Sequence, residues 1–450
     1  MPTLKPFAVR AFVACAATFL GATVQAAIPI EHWTLANGAR IYLASTNALP
    51  IVDVQIDFDA GSRRDPPSQA GLAGVTASMV EKGIRANDGE PALDQNAIGE
   101  AWADLGASFD ASGGSDRTSF SLRTLSDPAL LGKAVQLAAR EIGEPSFPED
   151  VWKRERERLN AAIKEANTKP ATIAGRAFSQ AAYGVHPYGQ ETTEATLAQI
   201  DVAAMRQRYE RLIVPCRAKL SIVGAVTRRQ ADAIATTLLS RLPSASGADG
   251  CAPLPPVPDV AALAAPLDQR LSFDSAQAHV VIGQPGYRRN DPDHFALTLG
   301  NYILGGGGFV SRLTEEVREK RGLAYSVYSS FSPGLHAGAF RIGFQTRPDQ
   351  AADAVRVSRE VLAKFVADGP TAAELKAAKD NLIGGFPLLL DSNRKLLGNV
   401  SNIAWNDLPL DYLETWTARM NAVTAADIKA AFARKLQPER MVTVVVGGKP

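Results

Sequence analysis

Hydrophobic and polar positions alternate in the same way in two distant parts of the chain. The segment IDVAAMRQRYERLIVPCRAKLSIVG, which starts at Ile200, aligns without gaps on VTAADIKAAFARKLQPERMVTVVVG, which starts at Val423. Each copy predicts a helix with Asp201 or Thr424 at its N-cap, followed by a proline and a hydrophobic strand. The chain is therefore predicted to contain two similar α+β halves.

Turn and linker signals mark the limits of these halves. The stretch IEHWTLANGARIYLAS predicts a β-hairpin, because Asn37-Gly38 favours a tight turn between two strands. Residues 244–267 are rich in Pro, Ala, Gly and Ser and have no sustained periodicity, which is typical of a linker. We therefore predict an N-terminal domain over residues 27–243 and a C-terminal domain over residues 268–450.

The first residues differ in kind from the rest of the chain. Lys5 and Arg10 precede an apolar run over residues 11–22, and VQA then stands before Ala27. This layout is typical of a secretory signal peptide, predicted over residues 1–26, and the run is too short to span a membrane. We expect export to a bacterial periplasm without stable membrane insertion. The formal charge of +1 gives no reason to expect nucleic acid as a partner.

Export would leave two cysteines in the mature chain, Cys216 and Cys251. An oxidising compartment permits a disulfide between them. Two unpaired thiols are an equally good interpretation, since the sequence does not give the distance between the two residues.

The segment VREKRGLAYSV, residues 317–327, carries candidate chemistry. The preceding pattern SRLTEEVREK predicts a helix that places Arg318 near its end and stops at Gly322. The alternation from Leu323 to Ser329 predicts a strand, which would bring Tyr325 back beside the end of the helix. The guanidinium of Arg318 and the phenol of Tyr325 could then donate to one oxygen. The alternative is that both residues only pack.

The segment resembles the second half of the pitrilysin or insulinase family of zinc peptidases. That family has an Arg and a Tyr with the spacing of Arg318 and Tyr325, and the resemblance implies that the pair holds a substrate carbonyl and stabilises the oxyanion. It extends over nearly all of the mature sequence and includes VIGQPGYRRNDPDHFALTLGNYILGGGGFVSRL and LLLDSNRKLLGNVSNIAWNDLPLDYLETW.

The zinc motif that should accompany this pair is missing. The segment AGSRRDPPSQAGLAGVTASMVEKG, residues 60–83, resembles the segment that carries H-x-x-E-H in the family, but Gly74, Ala77 and Ser78 occupy the three functional positions. By the same resemblance Ala162 stands at the third ligand and Glu155 at a glutamate that supports the ligands. A shift of this placement by one helical turn is the alternative, since Glu157 and Glu165 flank it. None of the four degenerate positions supplies an ordinary zinc ligand or a general base.

Other chemistry finds little support in the sequence. The five histidines, His32, His186, His279, His294 and His336, have no helical ligand spacing, and each is more simply interpreted as a structural polar residue than as part of a zinc site. There is no G-x-S-x-G elbow, C-x-x-C pair or Walker loop. The glycines at 305–308 predict a tight turn before the SRL helix, although close approach of a peptide is also compatible with them.

The resemblance implies two homologous α+β domains, each an antiparallel sheet with helices packed on one face. It also implies a non-catalytic subunit without a metal of its own, which pairs with a homologous H-x-x-E-H subunit that holds zinc. Arg318 and Tyr325 would then act on peptides in the shared chamber. An enzymatically silent peptide-binding or scaffolding protein is the alternative, and a hydrolase with an unrecognised site is a third hypothesis.

Overall fold

The computed structural model describes residues 29–243 and 251–448, which form two sheet-containing domains. The strands of the first domain are β1 (Glu31–Thr34), β2 (Arg40–Ser45), β3 (Ile51–Phe58), β4 (Gly83–Ile84), β5 (Leu93–Asp94), β6 (Ser108–Gly113), β7 (Thr118–Leu125) and β8 (Lys219–Gly224). Its main sheet has the order β1-β2-β8-β3-β7-β6, and β4 pairs with β5 in a separate ribbon. The predicted hairpin at Asn37-Gly38 is confirmed, and Gly38 has φ +89° in its turn.

Eight α-helices accompany these strands in the described part of the first domain. They are α1 (Leu72–Val80), α2 (Gln95–Asp104), α3 (Pro128–Gly143), α4 (Glu149–Ala166), α5 (Pro170–Tyr183), α6 (Glu194–Ala198), α7 (Val202–Leu212) and α8 (Arg228–Leu239). All except α5 contribute to a core against one face of the sheet. On β3 that face consists of Val52, Val54, Ile56 and Phe58, because alternate residues of a strand share a face.

The second domain repeats this plan. Its strands are β9 (Leu267–Leu271), β10 (Ala278–Tyr287), β11 (Val327–Phe331), β12 (Gly338–Thr346) and β13 (Val442–Val446), in the sheet order β11-β12-β10-β13-β9. Its helices are α9 (His294–Asn301), α10 (Ala351–Asp368), α11 (Ala372–Gly385), α12 (Asn393–Trp405), α13 (Tyr412–Ala422) and α14 (Ala425–Lys435). Both main sheets are antiparallel except at one parallel pair each, β2 with β8 and β9 with β13.

The internal repeat predicted from the sequence is confirmed at its caps and at its strands. Asp201 accepts a hydrogen bond from the Ala204 amide at the start of α7, and Thr424 forms a capping box with Asp427 at the start of α14. The two strands that follow, β8 and β13, end at Gly224 and Gly447, and both glycines have φ +143°.

Each sheet has a second buried face, which is covered by a helix of the other domain. Helix α12 packs its residues Leu397, Val400 and Ala404 against Tyr42 and Val223 of the first sheet. In return, Phe178 and Ala174 of α5 pack against Val442, Val444 and Val446 of the second sheet. The prediction of helices on one face therefore holds for the helices that belong to the same domain, and the exchanged helices cover the other face.

A buried polar network strengthens the contact between α12 and the first sheet. Asp57 on β3 is buried and accepts hydrogen bonds from Ser401 of α12 at 2.9 Å and from Ser119 at 2.6 Å. The guanidinium of Arg117 lies 2.9 Å from the same carboxylate. A buried carboxylate is tolerated only when it is paired in this way, so the network fixes how α12 is seated.

The segment between the domains is attached to both of them. Cys216 and Cys251 form a disulfide with a Cα–Cα distance of 6.0 Å, which decides between the two interpretations that the sequence left open. Farther along, Asp259 contacts His336 at 3.2 Å and pairs with Arg288 in the second domain. Strand β9 begins at Leu267, the last residue of the predicted linker.

The segment predicted as a signal peptide, residues 1–26, lies outside the described residues. Over the ranges that the structure describes, no helix combines the length and the apolar character needed to cross a bilayer.

The half-buried His294 predicts a pH dependence of stability. Desolvation and then the charge of Arg289 lower the pKa of His294 to about 3, and its Nδ1 lies 3.0 Å from the hydroxyl of Tyr287. Since the folded pKa lies below the unfolded value, the unfolded state binds the proton first, and stability is lost as the pH falls below about 6.5. Between pH 7 and pH 5 we expect this residue alone to lower the free energy of unfolding by about 2 kcal/mol.

Urea unfolding of the wild type and of His294→Gln over this pH range measures the effect. The free energy of unfolding of the variant should depend less on pH than that of the wild type. Parallel curves for the two proteins would contradict the assignment.

Candidate substrate-binding site

A glycine-rich turn leads into the segment that carries Arg318. A Cβ atom at Gly305 would lie 2.5 Å from the amide nitrogen of Ser329, and one at Gly307 would lie 2.8 Å from the Tyr302 carbonyl oxygen. The chain therefore packs directly on β11 here, and Gly308 turns it with φ +61°. Gly305 and Gly306 end the π-helical segment Tyr302–Gly306, so the predicted tight turn before the SRL helix is confirmed at Gly307 and Gly308.

Arg318 lies in the π-helical turn Thr314–Glu319. Val317 is buried in the core of the second domain, which leaves the neighbouring Arg318 at the surface. The helix ends as predicted at Gly322, which has φ +61° and donates its amide to the Arg318 carbonyl at 2.8 Å. The Gly322 bond is that of an αL helix end, and the Leu323 amide then reaches back to the Val317 carbonyl at 2.9 Å.

The prediction that a strand runs from Leu323 to Ser329 is wrong at its start. Strand β11 begins at Val327, so Tyr325 lies in the connection before the strand. Leu323 is buried, and its carbonyl accepts a hydrogen bond from the Thr346 hydroxyl at 2.5 Å. Thr346 is the last residue of β12. Its side chain bonds to Leu323, and the backbone ladder between β11 and β12 starts only at Val327.

The structure nevertheless brings Arg318 and Tyr325 together. The Cζ atom of Arg318 lies 5.0 Å from the centre of the Tyr325 ring and 4.7 Å from the centre of the Phe309 ring. Phe309, which the sequence analysis did not single out, directly follows the glycine-rich turn. The guanidinium is therefore in contact with two aromatic rings.

The donors of the Arg318–Tyr325 pair are available to a ligand. The Nε of Arg318 lies 3.2 Å from the carboxylate of Glu319. Within residues 29–243 and 251–448, the two terminal nitrogens of Arg318 and the hydroxyl of Tyr325 have no hydrogen-bond acceptor in the protein. Tyr325 is 83% exposed, so burial in the core does not explain its position. The site offers several N–H and O–H donors and no matching acceptor, as an oxygen ligand requires.

The degenerate zinc positions lie on α1 in the first domain. Asp65 begins this helix by accepting hydrogen bonds from the amides of Gly71 and Ala73, both at 3.1 Å. Gly74 and Ser78 are exposed, one helical turn apart, whereas Ala77 is buried. The Ser78 hydroxyl donates to the Val75 carbonyl at 3.0 Å, as serine commonly does within a helix. The helix that carries the motif in the family is therefore present, but its zinc ligands and its general base are not.

The fourth degenerate position, Ala162, lies on the exposed side of α4. The carboxylates near it form salt bridges to basic side chains, Glu155 to Arg158 at 2.7 Å and Glu165 to Lys169 at 2.7 Å. Among the residues that the structure describes, no group of three or more His, Cys, Asp or Glu side chains could hold a metal ion. The residues at the family's zinc positions therefore do not fit the metal.

Two of the histidines that lie far apart in sequence are neighbours in the fold. The ring centres of His186 and His336 are 5.2 Å apart. The Nδ1 of His186 accepts from the Tyr188 amide at 3.1 Å, and its Nε2 lies 3.0 Å from the Pro258 carbonyl, so both nitrogens are used. Burial, followed by the nearby His336, lowers the pKa of His186 and favours this neutral form. The contacts support a structural role in holding the segment between the domains.

Comparison with known proteins identifies both halves. Residues 40–196 match the family model described as insulinase (peptidase family M16), and residues 199–382 match the one described as peptidase M16 inactive domain. A crystal structure of a peptidase M16 inactive domain from Pseudomonas fluorescens is similar over 94% of this chain and 98% of its own, with 31% identity and a TM-score of 0.87.

Curated relatives from other bacteria are more distant. An uncharacterized zinc protease YmxG of Bacillus subtilis is 26% identical over 416 residues, which cover 91% of this chain and 96% of that protein. A non-peptidase homolog YmxG of Helicobacter pylori is 22% identical over 409 residues, 89% of this chain and 90% of that protein. Relatives over the same length thus include proteins named as peptidases and one named as a non-peptidase.

Partial restoration of the zinc motif tests the assignment of the degenerate positions. The triple variant Gly74→His, Ala77→Glu, Ser78→His should bind no stoichiometric zinc and cleave no peptide, because Ala162 leaves the third ligand absent. Metal analysis after dialysis against a weak chelator measures this directly, with the wild-type chain as the control. One tightly held zinc per wild-type chain would contradict the assignment.

Proposed function

Because this chain belongs to the insulinase-type M16 peptidase family and lacks that family's zinc ligands, we propose that it is the non-catalytic subunit of a heterodimeric zinc peptidase. Its partner would be a homologous chain with an intact H-x-x-E-H motif. This chain would bind the peptide carbonyl through Arg318 and Tyr325. The observation that carries the proposal is the placement of these two residues side by side with unused donors at the surface.

Peptide hydrolysis needs one group that activates water and another that stabilises the oxyanion, and the two need not lie on one chain. The partner's zinc and glutamate would supply the attacking water. As the water oxygen bonds to the carbonyl carbon, the electron pair of the C=O bond moves to the carbonyl oxygen, which becomes negative. Arg318 and Tyr325 would donate to that oxygen until the electron pair returns, the C–N bond breaks and the leaving nitrogen takes the proton that the attacking water gave to the partner's glutamate. Loss of one such donor typically costs about 3 to 4 kcal/mol of barrier.

The position of the pair suits this role. The cation of Arg318 is held at the surface beside two rings, so little rearrangement is needed before it meets the developing charge. The carboxylate of Glu319 approaches Nε, at 3.2 Å, and within the described residues the terminal nitrogens donate no hydrogen bond to the protein. A planar guanidinium can offer two parallel N–H groups to an oxygen ligand, which a lysine cannot do.

An enzymatically silent scaffolding role is the second candidate. It is favoured by the Helicobacter pylori relative that is named a non-peptidase homolog. In that case Arg318 and Tyr325 would serve only packing, and their substitution would not alter any peptidase.

We further propose that the protein works in the periplasm after removal of residues 1–26. The support is the basic and apolar layout of the N-terminus, together with the Cys216–Cys251 disulfide, which suits an oxidising compartment. Protein recovered from the periplasmic fraction of the native cell should begin near Ala27, as measured by N-terminal sequencing. An intact Met1, or recovery from the cytoplasm, would contradict this proposal.

Substitution of the Arg318–Tyr325 pair tests the main proposal. Tyr325→Phe removes one donor and keeps the ring, so peptide turnover by the complex of the two chains should fall roughly a hundredfold or more. Arg318→Lys should also be damaging, because one ammonium does not reproduce the planar fork. Turnover is measured on the complex copurified from the native cell. The zinc content and the yield of the complex should be the same for the variants and the wild type.

Tyr328→Phe is the matched control, since Tyr328 is also an exposed tyrosine and lies on the adjoining strand β11. It should retain normal turnover. Near-normal turnover by both Tyr325→Phe and Arg318→Lys would exclude the oxyanion role and favour the scaffolding role.

A further inference from the structure

Phe309 occupies an unusual position for a large apolar residue. It lies in the one-turn 3-10 helix Gly308–Val310, between the glycine-rich turn and the helix that carries Arg318. The glycines before it are packed against β11 and α9, so the tip of the turn is directed outward. Phe309 is 72% exposed and Val310 is 74% exposed. Neither residue contributes to the core of the domain.

The two exposed neighbours differ in their relation to the Arg318–Tyr325 pair. The ring of Phe309 lies 4.7 Å from Cζ of Arg318, on a guanidinium that also lies 5.0 Å from the ring of Tyr325. Val310 has no ring and therefore makes no cation–π contact. A ring in this position attracts the cation through its quadrupole and restricts rotation of the side chain.

Arg318 needs such a restraint because its other contact is weak. Within the described part of the chain its salt bridge is to the adjacent Glu319, at 3.2 Å, and that carboxylate is mostly exposed. Exposed ion pairs of this kind hold a long side chain poorly. The two rings lie against the guanidinium, and its terminal N–H groups have no hydrogen-bond acceptor in the described part of the chain.

We infer that Phe309 is a positioning residue, which fixes the plane of the Arg318 guanidinium so that its free edge meets the carbonyl oxygen of a bound peptide. The inference rests on the proposed function of the Arg318–Tyr325 pair. Phe309 itself donates no hydrogen bond, and it acts through Arg318. An aromatic ring is required at this position, and apolar volume alone is not sufficient.

The experiment compares three variants of the full chain. Phe309→Leu keeps an apolar side chain and removes the ring, Phe309→Tyr keeps the ring, and Val310→Ala alters the equally exposed neighbour. In the copurified complex, Phe309→Leu should lower kcat about fivefold to tenfold with little change in KM, since a misaligned donor chiefly weakens binding of the transition state. Phe309→Tyr and Val310→Ala should retain wild-type turnover.

A spectroscopic readout on the chain alone tests the stacking without any partner. Rotation of the Arg318 guanidinium about its Nε–Cζ bond is followed by NMR of labelled arginine, and the signal is assigned by its loss in Arg318→Lys. Rotation should be slow in the wild type and in Phe309→Tyr, and faster in Phe309→Leu. Unchanged rotation in Phe309→Leu would overturn the inference.

Turnover and guanidinium rotation together distinguish failure of the proposed function from failure of the positioning role. If Phe309→Leu frees the guanidinium but Arg318→Lys leaves turnover intact, the proposed function fails while the stacking stands. If Arg318→Lys is damaging and Phe309→Leu is harmless, the proposed function stands and the positioning role is wrong. If Phe309→Leu and Val310→Ala raise KM equally, for peptides with large apolar residues only, the turn is an apolar contact surface and the inference is overturned.

Discussion

The exchange of helices α5 and α12 is the constraint on which the rest of the structure depends. Each sheet buries one face under helices of its own domain, and each has a second face that would expose apolar residues to water if the domain stood alone. On β13 these are Val442, Val444 and Val446, and the helix that covers them belongs to the first domain. Burial of a branched apolar side chain of this size contributes roughly 1.5 to 3 kcal/mol. The two domains therefore stabilise each other, and neither is expected to be stable by itself.

The position of the degenerate residues on α1 explains how the fold is kept without the family's zinc motif. Helix α1 is held by Asp65 at its start and by buried side chains such as Met79, and the degenerate positions Gly74 and Ser78 lie on its exposed side. Ligands at such positions contribute little to packing, so their absence leaves the core unchanged. The Arg318–Tyr325 pair is different, since the terminal nitrogens of Arg318 and the hydroxyl of Tyr325 have no hydrogen-bond acceptor in the described residues.

Local signals in the sequence are sufficient to predict the caps and turns of the structure. The caps at Asp201 and Thr424, the turn at Asn37-Gly38 and the helix end at Gly322 depend on neighbouring residues, and each was predictable. The helix exchange was not, because an amphipathic pattern gives the apolar face of a helix and not the sheet that it meets. The Cys216–Cys251 pairing and the start of β11 also depend on distant partners. Phe309 was missed because an aromatic residue after a glycine run carries no functional signal until its distance from Arg318 is known.

We propose that this chain completes a peptidase site whose metal is held by another chain. A structure of the complex copurified from the native cell and trapped with an uncleaved peptide tests this proposal. We expect Arg318 and Tyr325 both to donate to one carbonyl oxygen of that peptide, beside the zinc of the H-x-x-E-H subunit. A complex in which the pair faces away from the partner's zinc, or in which no such subunit is present, would contradict it.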